Sequence, residues 1–339
     1  MGERTRIVCF GELLVRLSSA DGEQLLQSPS LRVHFGGAEA NVAVSLARFG
    51  HDAAMVSIVP PNALGAAAIA ELRRHRVDTS AAATGPGRMG LYFLTPGAVS
   101  RPSAVLYDRA GSSFALAAPT TIDWSAVLRG ARWLHLSGIA SALGERAAVA
   151  NQRAADAALA LGVAVSFDGN YREHLWAASG GDAKRLLRGM LATAEIAFVD
   201  DRDIALSLGI EIKGEALERR RSAAAAAFAA FPRLATICST IREADSAQRQ
   251  RLGGVMLTRQ HEFVARTYPL DGIVDRVGAG DAFAAGILHG RSAGLADQDT
   301  LELGVAAAVL KHSIRGDFNL VDLRDVEQLV AAKGVDIRR

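Results

Sequence analysis

Short apolar runs that are typical of buried strands alternate with Ala-rich helical segments along most of this 339-residue chain. Parallel strands need crossover connections, which are usually helical, so this order predicts an α/β protein with a mainly parallel sheet covered by helices. Ligands of such sheets bind at the carboxyl ends of the strands. The predicted strands are residues 7–10, 53–59, 133–136, 163–168, 196–199 and 235–238. The predicted helices are residues 40–49, 64–75, 145–161, 182–193, 201–208, 215–231, 281–293, 300–312 and 323–332.

Two segments interrupt this alternation, at about residues 12–35 and 88–109. In both, every second residue of short runs is apolar, as in Leu13, Val15 and Leu17. A period of two predicts half-buried strands. We therefore expect a small separate sheet, standing on the α/β body as a lid or as a subunit contact. Neither a repeat nor a linker divides the sequence, so residues 1–339 are expected to form a single domain.

The composition and charge of the chain argue against a nucleic-acid-binding protein. Half of the chain is hydrophobic, 22% is charged and the net charge is +2. A nucleic-acid partner would call for a basic stripe with interleaved aromatic residues, and none occurs. The densest basic cluster, Glu218–Arg221, is interpreted as a solvated helix face.

The cellular setting is also suggested by the sequence. No apolar run reaches membrane-spanning length and no signal-peptide pattern opens the chain, so no membrane partner is expected. Cys9 and Cys238 lie in apolar strand-like runs and are predicted to be buried thiols, without a disulfide framework. These features favour a cytoplasmic protein.

The strongest chemical signal is the segment Asp275–Gly286. Here Gly278, Ala279 and Gly280 precede Asp281, and an apolar run that predicts a helix follows. A helix N-terminus presents unpaired N–H groups that suit an anion, and glycines let a ligand approach the backbone closely. We expect the Asp281 carboxyl to keep a low pKa and to stay ionised at neutral pH. An anion-binding turn beside a base fits a kinase, whereas the alternative is a glycine turn with an acidic helix cap.

Two further polar stretches lie where strands end or helices begin. Gly37 leads into a predicted helix with Asn41 near its start, which is either a ligand contact or a tight turn. Asp168 ends a predicted strand and Arg172 follows it. The planar guanidinium of Arg172 suits a carboxylate or a phosphate, and the alternative is a surface salt bridge.

Two pairs of residues remain ambiguous. Tyr107 and Arg109 lie on the predicted lid, where they either contact a substrate as the lid closes or belong to a solvated loop. Asp200 and Asp203 follow a buried strand. They either hold Mg²⁺ through water or form an acidic helix N-terminus that the helix dipole favours.

Several other chemistries are unsupported. The eight histidines show no metal-ligand spacing, and no Gly-x₄-Gly-Lys-Ser/Thr loop or Gly-x-Ser-x-Gly elbow occurs. The Arg315–Asp317 tripeptide looks like an adhesion motif, but a cytoplasmic chain gives it no such partner.

Taken together, these stretches resemble the ribokinase-like (pfkB) carbohydrate kinases over about residues 5–330. The resemblance is carried by Gly11-Glu12 after the first strand, by Gly36–Asn41, and by Asp275–Gly286. Within that family, the segments around Tyr92, Tyr107–Arg109, His135–Ile139 and Asp168–Trp176 are most similar to 2-keto-3-deoxygluconate kinases.

The resemblance implies a ribokinase-like fold with a small β-sheet lid, and ATP- and Mg²⁺-dependent phosphorylation of 2-keto-3-deoxygluconate to its 6-phosphate. Asp281 would be the general base, with Gly278, Ala279 and Gly280 as the anion hole. The implied sugar-binding residues are Gly37, Asn41, Tyr92, Tyr107, Arg109 and Arg172. The implied nucleotide-binding residues are Ser239, Thr240, Gly278 and Gly280, and Mg²⁺ would be arranged by Asp200 and Asp203. Because lids of this family often pair between subunits, a homo-oligomer is expected.

The sequence departs from the family pattern at two places. Residues 238–254 form a long polar segment where many members have a short Lys/Gly-rich loop against the nucleotide, and we expect an atypical loop there. The family's Asn-x-x-Glu element appears as Asp200-x-x-Asp203. Three alternatives stay open: a kinase of fructose or a related keto-deoxy acid, a nucleoside kinase, and a non-catalytic sugar- or nucleotide-binding relative.

Overall fold

A computed structural model describes residues 4–244, 246 and 249–332. The strands are β1 Arg6–Phe10, β2 Leu14–Ser18, β3 Arg32–Gly36, β4 Asp52–Val56, β5 Ile58–Val59, β6 Ala83–Thr84, β7 Gly90–Thr95, β8 Ala104–Asp108, β9 Ala131–Ser137, β10 Ala164–Asp168, β11 Ile196–Phe198, β12 Thr236–Ala244, β13 Arg249–Thr258, β14 Glu262–Val264 and β15 Tyr268–Asp271. The helices are α1 Ala38–Arg48, α2 Ala63–Arg74, α3 Ser113–Leu116, α4 Trp124–Val127, α5 Gly138–Ser141, α6 Glu145–Ala160, α7 Glu173–Ser179, α8 Ala183–Thr193, α9 Asp201–Leu208, α10 Ala216–Ala230, α11 Ala279–Ala293, α12 Asp297–Lys311 and α13 Leu323–Ala331.

The central sheet has the order β14-β13-β12-β11-β10-β9-β1-β4, with β15 also paired to β13. The strands from β12 to β4 are parallel, and the pairs that involve β13 are antiparallel. Alternation along β1 places Ile7 and Cys9 in the core under α1, α11 and α12, and Val8 and Phe10 in the core under α6, α8 and α10. The predicted mainly parallel, helix-covered sheet is confirmed. It aligns the carboxyl ends of β1, β9, β10 and β11 at one edge.

A separate four-stranded sheet, β3-β2-β7-β8, stands at that edge and is called the lid sheet below. Its register aligns Arg16, Tyr92 and Tyr107 in one row, and these residues take part in the site described below. The neighbouring row, on the opposite face, contains Val33, Leu17, Phe93 and Leu106. The predicted small sheet is therefore confirmed.

Two local predictions are wrong. The expected strand 53–59 is two strands, because β4 pairs with β1 whereas β5 pairs with β6. The expected loop within 238–254 is the hairpin of β12 and β13, which pairs from Thr236↔Thr258 to Ala244↔Gln250. Its polar residues do not prevent strand formation, because they bond to one another across the strands, as Arg251 does to Glu243 at 2.9 Å.

The described part of the chain contains no helix that is both long and apolar enough to cross a membrane. Both cysteines are buried and free, as predicted.

Candidate active site

A cleft of about 710 Å³ lies between the lid sheet and the carboxyl edge of the central sheet, within the size range of about 300–1,000 Å³ for small-molecule sites. With the exception of Ala279, every site residue predicted from the sequence lines this one cleft. They are Gly37, Asn41, Tyr92, Tyr107, Arg109, Arg172, Asp200, Asp203, Ser239, Thr240, Gly278, Gly280 and Asp281. The side chain of Ala279 is buried instead. Residues that are up to 244 positions apart in the sequence are thus brought together.

The turn Gly278–Gly280, called the anion cradle below, begins α11. Gly278 is the N-cap of this helix with φ +83°, a conformation that favours glycine, and a Cβ there would lie 2.1 Å from the carbonyl oxygen of Asp317. A Cβ on Gly280 would meet nothing within 4 Å, so the backbone there faces open space. Because the first amides of a helix lack intrahelical acceptors, this turn is able to bind an anion.

Asp281 lies in the first turn of α11 and is 9% exposed. Its Oδ2 accepts a 2.6 Å hydrogen bond from Nδ2 of Asn41, near the start of α1. Burial raises the pKa of Asp281 to about 6, although the Asn41 bond and the charge of Arg172 oppose the rise. The predicted low pKa is therefore wrong, because desolvation outweighs the helix N-terminus. A pKa closer to neutrality suits a general base better.

Two more carboxyl groups of the cleft have raised pKa values. Burial, with the charge of Asp281 next in importance, raises the pKa of Asp168 to about 8. Burial and the charge of Asp200 raise the pKa of Asp203 to about 7. Arg172 opposes the rise at all three acids, Asp168, Asp203 and Asp281. Desolvation is the largest cause at each of the three, so burial outweighs the stabilisation that Arg172 gives to their ionised forms.

The two predicted arginines differ in setting. Arg172 is exposed, and its hydrogen bond goes to the backbone oxygen of Tyr171 at 2.9 Å. It forms no ion pair with the residues that the structure describes, so the surface salt bridge considered above is absent there. Arg109 is 4% exposed, and its Nε donates to Glu12 Oε2 at 2.6 Å. Its Nη1 is buried and lacks a partner within the described residues, so Arg109 does not belong to a solvated loop.

Tyr92 is buried and donates its hydroxyl to Oδ2 of Asp317, whose Oδ1 accepts from Arg16 Nη1 at 3.2 Å. Arg16 bonds in addition to Asp275 Oδ2 at 2.7 Å. This buried network connects the lid sheet to Asp275, which precedes α11, and to Asp317, which follows α12. Sequence reasoning matched the Arg315–Asp317 tripeptide to a similar one in the 2-keto-3-deoxygluconate kinases, but it did not predict Asp317 as a site residue.

Asp200 and Asp203 form a capping box at the start of α9. Asp200 Oδ1 accepts from the backbone N–H of Arg202 and Asp203, and Asp203 Oδ2 accepts from the backbone N–H of Asp200. The acidic helix N-terminus considered above is thus what the structure contains. Both residues also line the cleft, so the role toward Mg²⁺ stays a prediction.

Ser239 and Thr240 lie within β12, where they meet a residue that sequence reasoning missed. Arg220 of α10 donates to Oγ of Ser239 and, at 3.4 Å, to the backbone oxygen of Thr240. The predicted solvated face Glu218–Arg221 is wrong for Arg220, which is half-buried and lines the cleft. Three successive helical residues span about 200° of the helix circumference, so three adjacent arginines could not share one solvated face. This angular spread could have predicted from the sequence that one of the three arginines points away from solvent.

Comparisons with known proteins agree with this arrangement. The family model of the pfkB carbohydrate kinases matches residues 4–319. A 2-dehydro-3-deoxygalactonokinase of Haloferax volcanii is 31% identical over 98% of this chain and 99% of its own length. A 2-dehydro-3-deoxygluconokinase of Thermoproteus tenax is 26% identical over 96% of this chain and 94% of its own.

Similarity extends to three dimensions. The crystal structure of a 2-dehydro-3-deoxygluconokinase of Thermotoga maritima superposes with a TM-score of 0.91, is 36% identical, and covers 97% of this chain and 100% of its own. The chain therefore belongs to the pfkB family and is a carbohydrate kinase with the ribokinase-like fold.

Proposed function

We propose that this kinase transfers the γ-phosphoryl group of ATP to the 6-hydroxyl of 2-keto-3-deoxygluconate. The observation that carries the proposal is the exposed guanidinium of Arg172, close enough to Asp281 to influence its pKa and without a carboxylate partner in the described structure. A sugar acid offers the carboxylate that such a group binds in a bidentate manner. The free Nη1 of Arg109 is a second donor for the same substrate. The relatives named above act on sugar acids of this type, which supports the choice.

The reaction follows from the geometry around Asp281. Asn41 occupies Oδ2 of Asp281, which leaves Oδ1 to accept the proton of the substrate hydroxyl. As the proton moves, the hydroxyl oxygen forms a bond to the γ-phosphorus, and the bond from that phosphorus to the β,γ-bridging oxygen breaks to release ADP. The backbone amides at the start of α11 stabilise the negative charge on the transferred group.

ATP would extend from the anion cradle toward β12. Arg220, Ser239 and Thr240 line that part of the cleft, and Arg202 and Arg276 are exposed cations beside it. Arg220 has no ion pair with a described carboxylate, so its charge is available to phosphate. We call Arg220, Ser239 and Thr240 the nucleotide end, and Asn41, Tyr92, Arg109 and Arg172 the sugar end.

A divalent cation fits the acids of the cleft. Burial raises the pKa values of Asp168 and Asp203, and a cation bound beside them would favour their ionised forms. The described residues contain no group of three side chains that would ligate a metal directly, so Asp200 and Asp203 would hold Mg²⁺ through water. When bound, Mg²⁺ would neutralise charge on the β- and γ-phosphates.

We also propose that the protein forms an oligomer in which the lid sheets of two copies pack against each other. On the face of the lid sheet opposite to Tyr92 and Tyr107, the side chains of Val33 and Leu106 are 57% and 60% exposed. Leu106→Lys should shift the mass measured by light scattering toward the monomer, because it places a charge in that apolar row. Leu161→Lys, a change at a similarly exposed leucine outside the lid sheet, should leave the mass unchanged. An unchanged mass in both variants would contradict a lid-mediated oligomer.

One assay tests the proposed reaction. ADP release from ATP and Mg²⁺ is measured with 2-keto-3-deoxygluconate, 2-keto-3-deoxygalactonate, fructose, ribose and adenosine, with Asp281→Ala as the control. Turnover that is greatest with the gluconate acid and lost in the variant is the expected result. Preference for the galactonate acid would favour the activity named for the Haloferax relative. Preference for a neutral sugar or a nucleoside would remove the argument from Arg172, and tight sugar binding without turnover would identify a non-catalytic relative.

A further inference from the structure

The lysine that ends α12 is completely buried, and the reaction as derived above does not use it. Lys311 has no exposed surface, and its Nζ donates to the backbone oxygen of Ile314 at 2.9 Å. No described carboxylate lies within ion-pair distance of it. A buried ammonium group that lacks a contacting counter-ion is costly, so its retention calls for an explanation other than packing.

The position of Lys311 supplies that explanation. A Cβ built on Gly278 would lie 3.4 Å from Cε of Lys311, so the end of this side chain lies directly behind the anion cradle. The same Gly278 is held against the backbone oxygen of Asp317, which follows α12. Lys311 therefore places a positive charge within a few ångströms of the turn where an anion would bind, on the side away from the cleft.

The charges around Lys311 come from four parts of the fold. Arg16 belongs to the lid sheet, Asp275 precedes α11, Asp281 lies in its first turn, and Asp317 follows α12. Tyr92 faces the same cluster from the lid sheet and is bonded to Asp317. His312 is adjacent, and burial lowers its pKa to about 4, so it is neutral. Burial lowers the pKa of Lys311 to about 8, while Asp275 and Asp317 oppose the fall, so the group is mostly charged at pH 7.

We propose that Lys311 is a positioning residue whose buried ammonium group makes the anion cradle positive and thereby strengthens its hold on the phosphate groups of ATP. The proposal rests on the proposed phosphoryl transfer for its consequence in catalysis, but anion binding by the cradle is measured without any sugar. Lys311 touches no substrate in this scheme. It acts through Gly278 and the helix that this residue begins.

The first test is binding of ATP alone, measured by calorimetry in wild type and in Lys311→Met, a neutral side chain of similar length. At pH 7 the variant should bind ATP roughly 10- to 100-fold more weakly, the range that one charge at this separation produces. Wild-type affinity should fall between pH 7 and pH 9.5 toward that of the variant, because the ammonium group deprotonates. The affinity of the variant should not follow that trend. Lys213→Met removes an exposed lysine and is the control for net charge.

Thermal unfolding separates this role from a structural one. Lys311→Met removes the desolvation cost of a buried charge that no carboxylate contacts, so the variant should keep or raise the melting temperature while it loses affinity. A large loss of melting temperature together with the loss of affinity would mean that Lys311 serves the fold, and would overturn the proposal. Equal affinities in wild type and variant, or a wild type that does not bind ATP, would overturn it as well. Lys311-dependent ATP binding without turnover of any sugar would leave this inference intact and contradict the proposed function.

Discussion

The two ends of the cleft are built differently. At the sugar end, all of the named polar groups except Arg172 are buried and bonded to other side chains, as Asn41 is to Asp281 and Arg109 is to Glu12. At the nucleotide end, Arg220 is half-buried and bonds to a hydroxyl and a backbone oxygen, while Arg202 and Arg276 are exposed. The sugar end is thus preorganised, whereas the nucleotide end presents cations with few protein partners. The sequence follows the family pattern at the first and departs from it at the second.

Replacing Asp281, the proposed base, is expected to have the largest effect, because this residue lies where the two ends of the cleft meet. Asp281→Asn keeps the size of the side chain and should lower kcat by about 10²- to 10⁴-fold. KM for sugar and for ATP should change little, since both ends keep their own contacts. Steady-state kinetics with each substrate varied checks this. A kcat within threefold of wild type would assign the proton transfer to another group.

A change at the sugar end should affect only one substrate. Arg172→Ala removes a charged bidentate donor and should raise KM for the sugar acid by roughly 10- to 100-fold, while KM for ATP stays constant. Arg185→Ala, at an exposed arginine of α8 outside the cleft, is the control. Equal increases in both KM values would contradict the assignment of Arg172 to the sugar carboxylate.

Below the pKa of Asp281, kcat/KM should fall about tenfold for each unit by which the pH is lowered. Burial raises the pKa of Asp281 to about 6 in the free enzyme, so the proton-accepting form is lost as the pH falls below that value. We therefore expect kcat/KM to be constant near pH 7 and to fall with decreasing pH below about 6. A profile that stays flat down to pH 4.5 would mean that the carboxyl keeps an ordinary pKa.

A change at the nucleotide end should have the smallest effect, since several cations share the phosphates there. Arg220→Met should raise KM for ATP by roughly 10-fold, with KM for the sugar acid unaltered. Arg221→Met is a matched control one residue away, where the side chain pairs with Glu262 at 2.6 Å on the surface. If both variants bind ATP equally well, the nucleotide end does not depend on Arg220.

The sequence predicted those parts of the molecule that depend on local pattern. Apolar periodicity identified the parallel sheet and the lid strands, and the glycines before Asp281 identified the start of α11. What it missed depends on long-range packing. The pKa of Asp281 follows from its burial beside Asn41 of α1, and the contact of Arg220 with Ser239 requires α10 to lie across β12. The hairpin of β12 and β13 was missed because its polar sequence predicted a loop. The bonds between its polar side chains across the two strands, which allow a hairpin, are not visible in the sequence.

One bond of the buried network has a consequence for biosynthesis. Arg16 and Asp317 are separated by 301 residues, yet their ion pair connects the lid sheet to the turn that follows α12. A chain emerging from the ribosome has its first lid strand long before it has this acceptor. Arg16 therefore lacks this partner until residue 317 has been made, and such late closure of the cleft is a stage at which chaperones act. The kinase gains its complete cleft only after Asp317 has been made.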